Sequence, residues 1–232
     1  MARRRPEARF EALLRAAAQV FSEQGFRRTQ MADVARRLGV SPGTLYAYVA
    51  SKDALFDLAL RHAFGEHVTP AALPAPTPAS AELVEHVRAG MRRRLRTPGL
   101  VEAGARPAPP DVAGELAGLV RELYDALAQN ADAIRLIERS APERPDLAEL
   151  YYARGRGGLV ERWRRYLERR IGEGRLRPVP DAAIAARLVI ETVAWFAWHR
   201  RGDPAPQAMD PALARDTVVA VLAHGLLPAR AG

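Results

Sequence analysis

At 232 residues, with a formal net charge of +8, 48% hydrophobic and 27% charged residues, the chain has the composition of a soluble globular protein of one large or two smaller domains. It holds no apolar run of about 18 residues, so neither a membrane span nor a membrane partner is expected, and Glu7, Arg9, Glu11 and Arg15 break up any signal-peptide core after the basic start. The absence of Cys excludes disulfides and thiolate metal sites and is compatible with the cytoplasmic location expected for it.

Pro6 suits the first turn of a helix, and Glu7 sits near its positive end. Phe10, Leu13, Leu14, Ala17, Val20 and Phe21 recur at helical spacing, and Gly25 offers a left-handed stop. Thr29 is the expected N-cap of a second helix, with Met31, Val34, Ala35 and Leu38 on its apolar side. Gly39 permits a sharp turn. Ser41 then caps a third helix with Pro42 in its first position and Leu45 and Val49 facing inward. Ser51 caps a fourth helix carrying Leu55, Phe56, Leu58, Ala59 and Ala63. Residues 68–80, VTPAALPAPTPAS, read as a stiff extended connector or a loop. A helix over 81–96 and a second Pro/Gly-rich stretch over 97–111 follow. The spacing predicts further helices over 112–129, 130–140, 146–172, 181–201 and 211–226, and no convincing strand. The expected fold class is all-α: a helix-turn-helix domain over residues 1–66 on a C-terminal helical bundle over 67–232.

Two short amphipathic helices across a tight turn make a helix-turn-helix, a shape that places its second helix in the major groove of DNA. Before residue 40, Arg3, Arg4, Arg5, Arg9, Arg15, Arg27, Arg28, Arg36 and Arg37 face only Glu7, Glu11, Glu23 and Asp33, so the basic excess sits with the motif. Pro42, Gly43, Thr44 and Ala47 of the third helix are the residues that would reach base edges. Thr44 carries a methyl for thymine and a hydroxyl for a base or phosphate. This helix has no Arg, Asn or Gln for a bidentate base contact, so reading rests on apolar contacts, water and DNA shape. Gln30 and Arg36 are the nearest polar candidates. Tyr46 either packs into the core or offers its hydroxyl, and Tyr48, near the helix end, can reach phosphate. Lys52, at the positive start of the fourth helix, is expected as a phosphate contact. Thr29 and Ser41 are caps whose helix ends can also face phosphates. Arg3, Arg4 and Arg5 form an arm, either a solvated tail or a segment that lies along DNA.

Ala32-Asp33-Val34-Ala35, Leu38-Gly39-Val40-Ser41, Gly43-Thr44-Leu45-Tyr46 and Ser51-Lys52-Asp53-Ala54-Leu55-Phe56 agree in order and spacing with the DNA-binding domain of the TetR family, which the chain resembles from Phe21 to Phe56. The resemblance implies an all-helical homodimer whose N-terminal helices bind a palindromic operator in double-stranded DNA. It also implies that the last two helices pair the protomers and that the C-terminal domain takes a small-molecule inducer. Val49 stands where the family commonly has an aromatic residue, which leaves less packing beneath the recognition helix.

Ile184, Leu188, Val189, Ile190, Val193, Trp195, Phe196 and Trp198 make the segment 182–201 apolar on more than one face, more than a surface helix needs. By itself this fits either a central helix or an interface. With the resemblance, the candidate dimer seam is Leu188, Thr192, Trp195, Trp198 and His199 with Val218, Val221, Leu222 and Gly225 of the last helix. Candidate ligand-lining residues in the middle helices are Leu119, Leu123, Tyr124, Leu127, Ile137, Tyr152 and Trp163, types that pockets share with ordinary cores. Arg92, Arg93, Arg94 and Arg96 form a solvated face or an anion patch. His62, His67, His86, His199 and His224 fall in no metal or nucleophile motif, so no enzymatic activity, cofactor or metal is expected. The expected function is sequence-specific DNA binding by a transcriptional regulator, a repressor released by a small-molecule ligand. Transcriptional activation and non-specific architectural DNA binding are the alternatives.

Overall fold

A computed structural model describes residues 4–69, 71–205 and 208–229. Helix α1 (Arg4–Gln24) stops at Gly25, whose φ of 84° favours glycine. Helices α2 (Met31–Leu38) and α3 (Pro42–Tyr46) flank the turn at Gly39, where φ is 71° and the N–H caps the carbonyls of Ala35 and Arg36. Helix α4 (Lys52–Ala63) starts from Ser51, whose hydroxyl accepts the Ala54 N–H at 3.1 Å. α1 packs on α4 and α2, and α2 packs on α3. The core they share is made by the periodic residues: Leu13, Leu14, Ala17, Val20, Phe21, Val34, Ala35, Leu45, Leu55 and Phe56 are all buried.

Three local expectations shift. The cap of α2 is Gln30, one residue beyond Thr29; the Asp33 carboxylate accepts the Gln30 N–H at 2.9 Å. α3 ends at Tyr46, and Val49, fully buried, lies beyond it in an isolated parallel bridge with Ala75. There the Ala50 N–H donates to the Ala75 carbonyl at 2.9 Å and the Ala75 N–H to the Tyr48 carbonyl at 2.8 Å. The Pro/Ala-rich run is therefore anchored at Ala75, as a strap across the exit of α3. Thr77 reinforces it by donating to Ser51 Oγ at 2.7 Å.

Helix α5 (Ser80–Arg94) packs on α4. Helix α6 (Pro98–Ala105) occupies part of the stretch read as irregular, with Pro98 in its first turn and Leu100 and Ala103 buried. Helices α7 (Val112–Gln129) and α8 (Ala131–Ser140) follow, then a 3₁₀ turn over Ala141–Glu143 and the short α9 (Pro145–Ala148). The single helix expected over 146–172 is divided. A π-helical stretch, Glu149–Arg156, separates α9 from α10 (Gly157–Gly172), where Gly155, Gly157 and Gly158 weaken regular helix. Helix α11 (Ala182–Ala197), a 3₁₀ turn over His199–Gly202 and helix α12 (Pro211–Leu226) complete the chain. Among the described residues no helix is long and apolar enough to cross a membrane.

Packing groups the chain into two compact units. One runs to Arg94 and takes in Asp132–Ala153; the other comprises Leu95–Ala131 and the chain from Arg154. The boundary expected at residue 66 coincides with no limit of these units, since α5 and the segment Asp132–Ala153 group with the N-terminal helices. In the second unit α7 packs against α6, α11 and α12, and α10 against α6 and α11. A buried charge sits at its centre. Arg170 is fully buried, 2.8 Å from Glu115, and donates to the Ala103 and Arg106 carbonyls at 2.9 and 3.1 Å. Tyr166 donates to the same Glu115 at 3.1 Å, and burial, then that carboxylate, pushes its phenol well above the ordinary range. Each charge is paired and hydrogen-bonded, the condition for keeping it inside.

Candidate nucleic-acid interface

The turn at Gly39 brings the start of α3 to the surface. Ser41, Pro42 and Gly43 are exposed, Thr44 is half-buried and Tyr46 is 50% exposed. The hydroxyls of Ser41 and Thr44 lie 3.0 Å apart. A Cβ added at Gly43 would meet only the Ser41 hydroxyl, at 3.9 Å. Internal packing therefore does not demand glycine here, and the bare backbone faces outward. Gln30 is exposed at the head of α2, and Arg36 is exposed while paired with Asp33 at 3.3 Å. Tyr48 is half-buried, its ring stacked on Phe10 with centroids 6.0 Å apart. Arg4 and Arg5 lie in the first turn of α1 rather than in an arm preceding it, and Arg3 lies outside the described residues.

Two candidates are used differently from their expected roles. Lys52 Nζ donates to the carbonyls of Phe26, Thr29 and Arg27 at 2.9, 3.2 and 3.3 Å, and stands 4.5 Å from the Phe26 ring centroid. An ammonium has three donors, so this carbonyl cage engages them all. Lys52 ties the start of α4 to the α1–α2 turn instead of reaching for phosphate. Thr29 is buried at that turn and donates to the Gly25 carbonyl at 2.7 Å, so it too supports the reader from behind. Around them Phe21, Phe26 and Phe56 pack ring against ring, and Arg37 joins α2 to α1 through Glu23 at 2.6 Å. That hydrogen bond holds the Glu23 carboxyl below its ordinary range. Arg27 and Arg28, part of the basic excess, are exposed in the α1–α2 turn, where the Gly25 stop places them in the loop that leads into α2.

Residues 13–59 match the family model for bacterial regulatory proteins of the tetR family, and residues 114–224 match the model for the C-terminal domain of AefR-like transcriptional repressors. The chain belongs to the TetR family. It is similar to the HTH-type transcriptional repressor KstR2 of Mycobacterium tuberculosis, 25% identical over 195 residues, 83% of this chain and 82% of that protein. The structure of the ketosteroid transcriptional regulator KstR2 superposes over 96% of either chain with a TM-score of 0.60 at 21% identity. AibR in complex with isovaleryl coenzyme A and operator DNA aligns over 92% of this chain and 97% of its own, with a TM-score of 0.54 at 15% identity. As a TetR-family member, the protein is a DNA-binding transcriptional regulator.

The other candidate residues of this TetR-family chain divide by burial. Of the ligand-lining candidates, Leu119, Leu123, Tyr124 and Trp163 are buried in the second unit and Leu127 is half-buried there, while Ile137 and Tyr152 belong to the first unit. Ile137 is fully buried; Tyr152 is exposed, its ring against Tyr151. Tyr124 donates to the Phe196 carbonyl at 3.2 Å. The Trp163 indole N–H is buried without a hydrogen-bond partner among the described residues. Of the seam candidates, Leu188, Trp195, His199, Val221 and Gly225 are exposed and Thr192 is half-buried. Trp198, Val218 and Leu222 are instead core residues of the protomer, because α11 and α12 turn those faces inward. Ile184 and Leu213 join the exposed apolar set. In the arginine run, Arg92 pairs with Glu85 at 2.7 Å and Arg93 with Glu66 at 3.2 Å.

Proposed function

We propose that the protein is a homodimeric, cytoplasmic repressor that reads a palindromic operator with α3 and leaves it when a small molecule binds the C-terminal domain. The observation that carries this reading is the exposed start of α3: Ser41, Pro42, Gly43 and Thr44 stand at the surface, with an outward-facing glycine backbone. Residues 1–66 are the reader, with Gln30, Arg36, Tyr46 and Tyr48 at its margins. Residues 67–232 dimerise and take the ligand. Two recognition helices of a dimer need half-sites about one DNA turn apart or a multiple of it. A ligand that prefers another spacing lowers operator affinity by the ratio of its affinities for the two states. The unpartnered Trp163 N–H supports a pocket in the second unit, since a buried indole donor normally finds an acceptor. An acceptor oxygen on the ligand would satisfy it.

The test is selection of DNA from a random duplex pool with purified full-length protein. A palindromic consensus with half-sites about a turn apart supports the reading. No enrichment, even after the protein is unfolded, washed free of ligand and refolded, overturns it.

A further inference from the structure

Three stretches of chain far apart in sequence meet at the start of α4. From the strap, Thr77 donates to Ser51 Oγ at 2.7 Å. From the corner between α8 and α9, Arg144 Nη1 donates to Asp53 Oδ1 at 2.9 Å and Nη2 to Asp146 Oδ2 at 3.1 Å. Asp146 Oδ2 also accepts from Ser80 Oγ at 2.9 Å, at the head of α5. Side-chain hydrogen bonds thus link Ser51 and Asp53, Thr77 and Ser80, and Arg144 and Asp146, two residues from each stretch. All of them lie in the first compact unit.

The same corner grips the turn that precedes α2. The Arg144 guanidinium lies 4.9 Å from the Phe26 ring centroid and 5.9 Å from that of Phe56. Phe26 therefore lies within cation–π distance of both the Arg144 and the Lys52 cations. The Glu143 carboxylate accepts the Arg27 N–H at 2.6 Å, and the Arg139 carbonyl stands 3.2 Å from where a side chain at Gly25 would begin. The chain between these two grips, from Gln30 to Ala50, carries α2 and α3. Fixing its entry and its exit against one rigid corner fixes the direction in which α3 points. Arg144 suits that task. It is only 12% exposed, and its planar fork directs separate N–H groups at two carboxylates while the guanidinium lies over the Phe26 ring, a geometry that the point charge of a lysine does not reproduce.

We infer that Arg144 is a positioning residue for DNA reading: with Asp53, Asp146 and Ser80 it sets the attitude of α3, and it is the point at which the α8–α9 corner acts on the reader. The inference rests on the reading of α3 as the recognition helix.

The experiment takes the operator selected by the wild-type chain and measures affinity for it and for a scrambled duplex of equal length, at one salt concentration, with thermal unfolding alongside. Full-length Arg144→Gln should lose about tenfold in operator affinity, a typical coupling between sites, while keeping its affinity for the scrambled duplex. Asp53→Ala should give a loss no larger than that, and the double variant no more than Arg144→Gln alone, because the contact Asp53 supplies is already gone in Arg144→Gln. Arg144→Lys should recover only part. An unchanged operator affinity in folded Arg144→Gln, an equal loss on both duplexes, or additive losses in the double variant would overturn the inference. If Arg144→Gln does not fold, Arg144→Lys decides alone: wild-type operator affinity overturns the role, and a loss confined to the operator supports it. A wild-type chain that enriches no operator sinks the reading of α3 and this role with it; an operator that Arg144→Gln binds equally well sinks this role alone.

Discussion

Lys52 is a cation in the right place for phosphate and engaged in other work. Its three carbonyl partners belong to the turn that leads into α2, so removing the ammonium unties that turn from α4. Lys52→Met should therefore cost stability, about 2 kcal/mol for part-buried hydrogen bonds to a charged group, measurable by urea denaturation. Its DNA affinity should keep the wild-type salt dependence, because the log–log slope counts cations on phosphate. A slope shallower by about one unit would return Lys52 to the contacts. Asp146 carries a pH signature. Burial would raise its carboxyl, but hydrogen bonds from Arg144 and Ser80 outweigh burial and hold it below the ordinary range. The folded-state value is depressed, so the stabilisation is complete above the ordinary carboxylate range and is lost as pH falls through the lowered value. Asp146→Asn should be less stable than wild type at neutral pH, with the gap closing on acidification. A gap that widens toward acid would contradict the assignment. Neither role could be read from the sequence. Ser51, Gly25 and Gly39 announce themselves because a cap or a turn is a local event, whereas Ser41 takes the cap position of α3 without a capping hydrogen bond from its side chain. The Lys52 cage and the Arg144–Asp53 pair depend on residues that only the folded chain brings together.

At the scale of elements, apolar periodicity located the helices because each must bury one face, and α1, α2, α4, α7, α8, α11 and α12 lie close to where Phe21, Val34, Phe56, Leu123, Ile134, Val193 and Val218 repeat. The errors arose where one residue type carries two meanings. Pro98 reads as a breaker within a Pro/Gly-rich stretch, yet at the first position of a helix its missing N–H costs nothing, and α6 begins there. Ala75 carries no side-chain signal at all; its backbone N–H and carbonyl hold the strap against Tyr48 and Ala50. Gly90, an interior glycine of α5, likewise carries no side-chain signal. A Cβ at Gly90 would stand 2.5 Å from Phe64 Cδ2 and 2.8 Å from Cγ, so α5 approaches α4 as closely as it does only without a side chain there. Gly90→Ala gains about 1 kcal/mol in helix propensity. Overpacking against the buried Phe64 ring costs about 1–3 kcal/mol, and because Cγ is at the root of the ring, no small rotation relieves it. The variant should melt lower than wild type, and adding Phe64→Leu should restore part of the loss. A higher melting temperature for Gly90→Ala alone would show that α5 moves aside freely.

For the whole molecule the decisive surface is the outer face of α11 and α12. Ile184, Leu188 and Trp195 fall at helical spacing on one side of α11, and Leu213 and Val221 do so on α12, while Val189, Val193, Val218 and Leu222 fill the core behind them. The surplus of apolar residues in the last helices thus divides into an inner face and an outer one, and only the outer face is available to a second copy. Large apolar side chains side by side on a surface mark an interaction site. In a two-fold dimer the same patch appears on both partners, so a single substitution there acts twice. Leu188 is 58% exposed in the protomer, and a carboxylate at this position would stay hydrated in a monomer but would be stripped of water, unpaired, in the seam. Leu188→Glu should therefore yield a folded monomer by sedimentation velocity, with a melting curve that no longer depends on protein concentration. It should also lose tight operator binding while retaining weak association with a single half-site, because linking two readers raises affinity through effective concentration without any new base contact. A Leu188→Glu protein that still sediments as a dimer would place the seam away from α11, and the exposed face would then need another occupant.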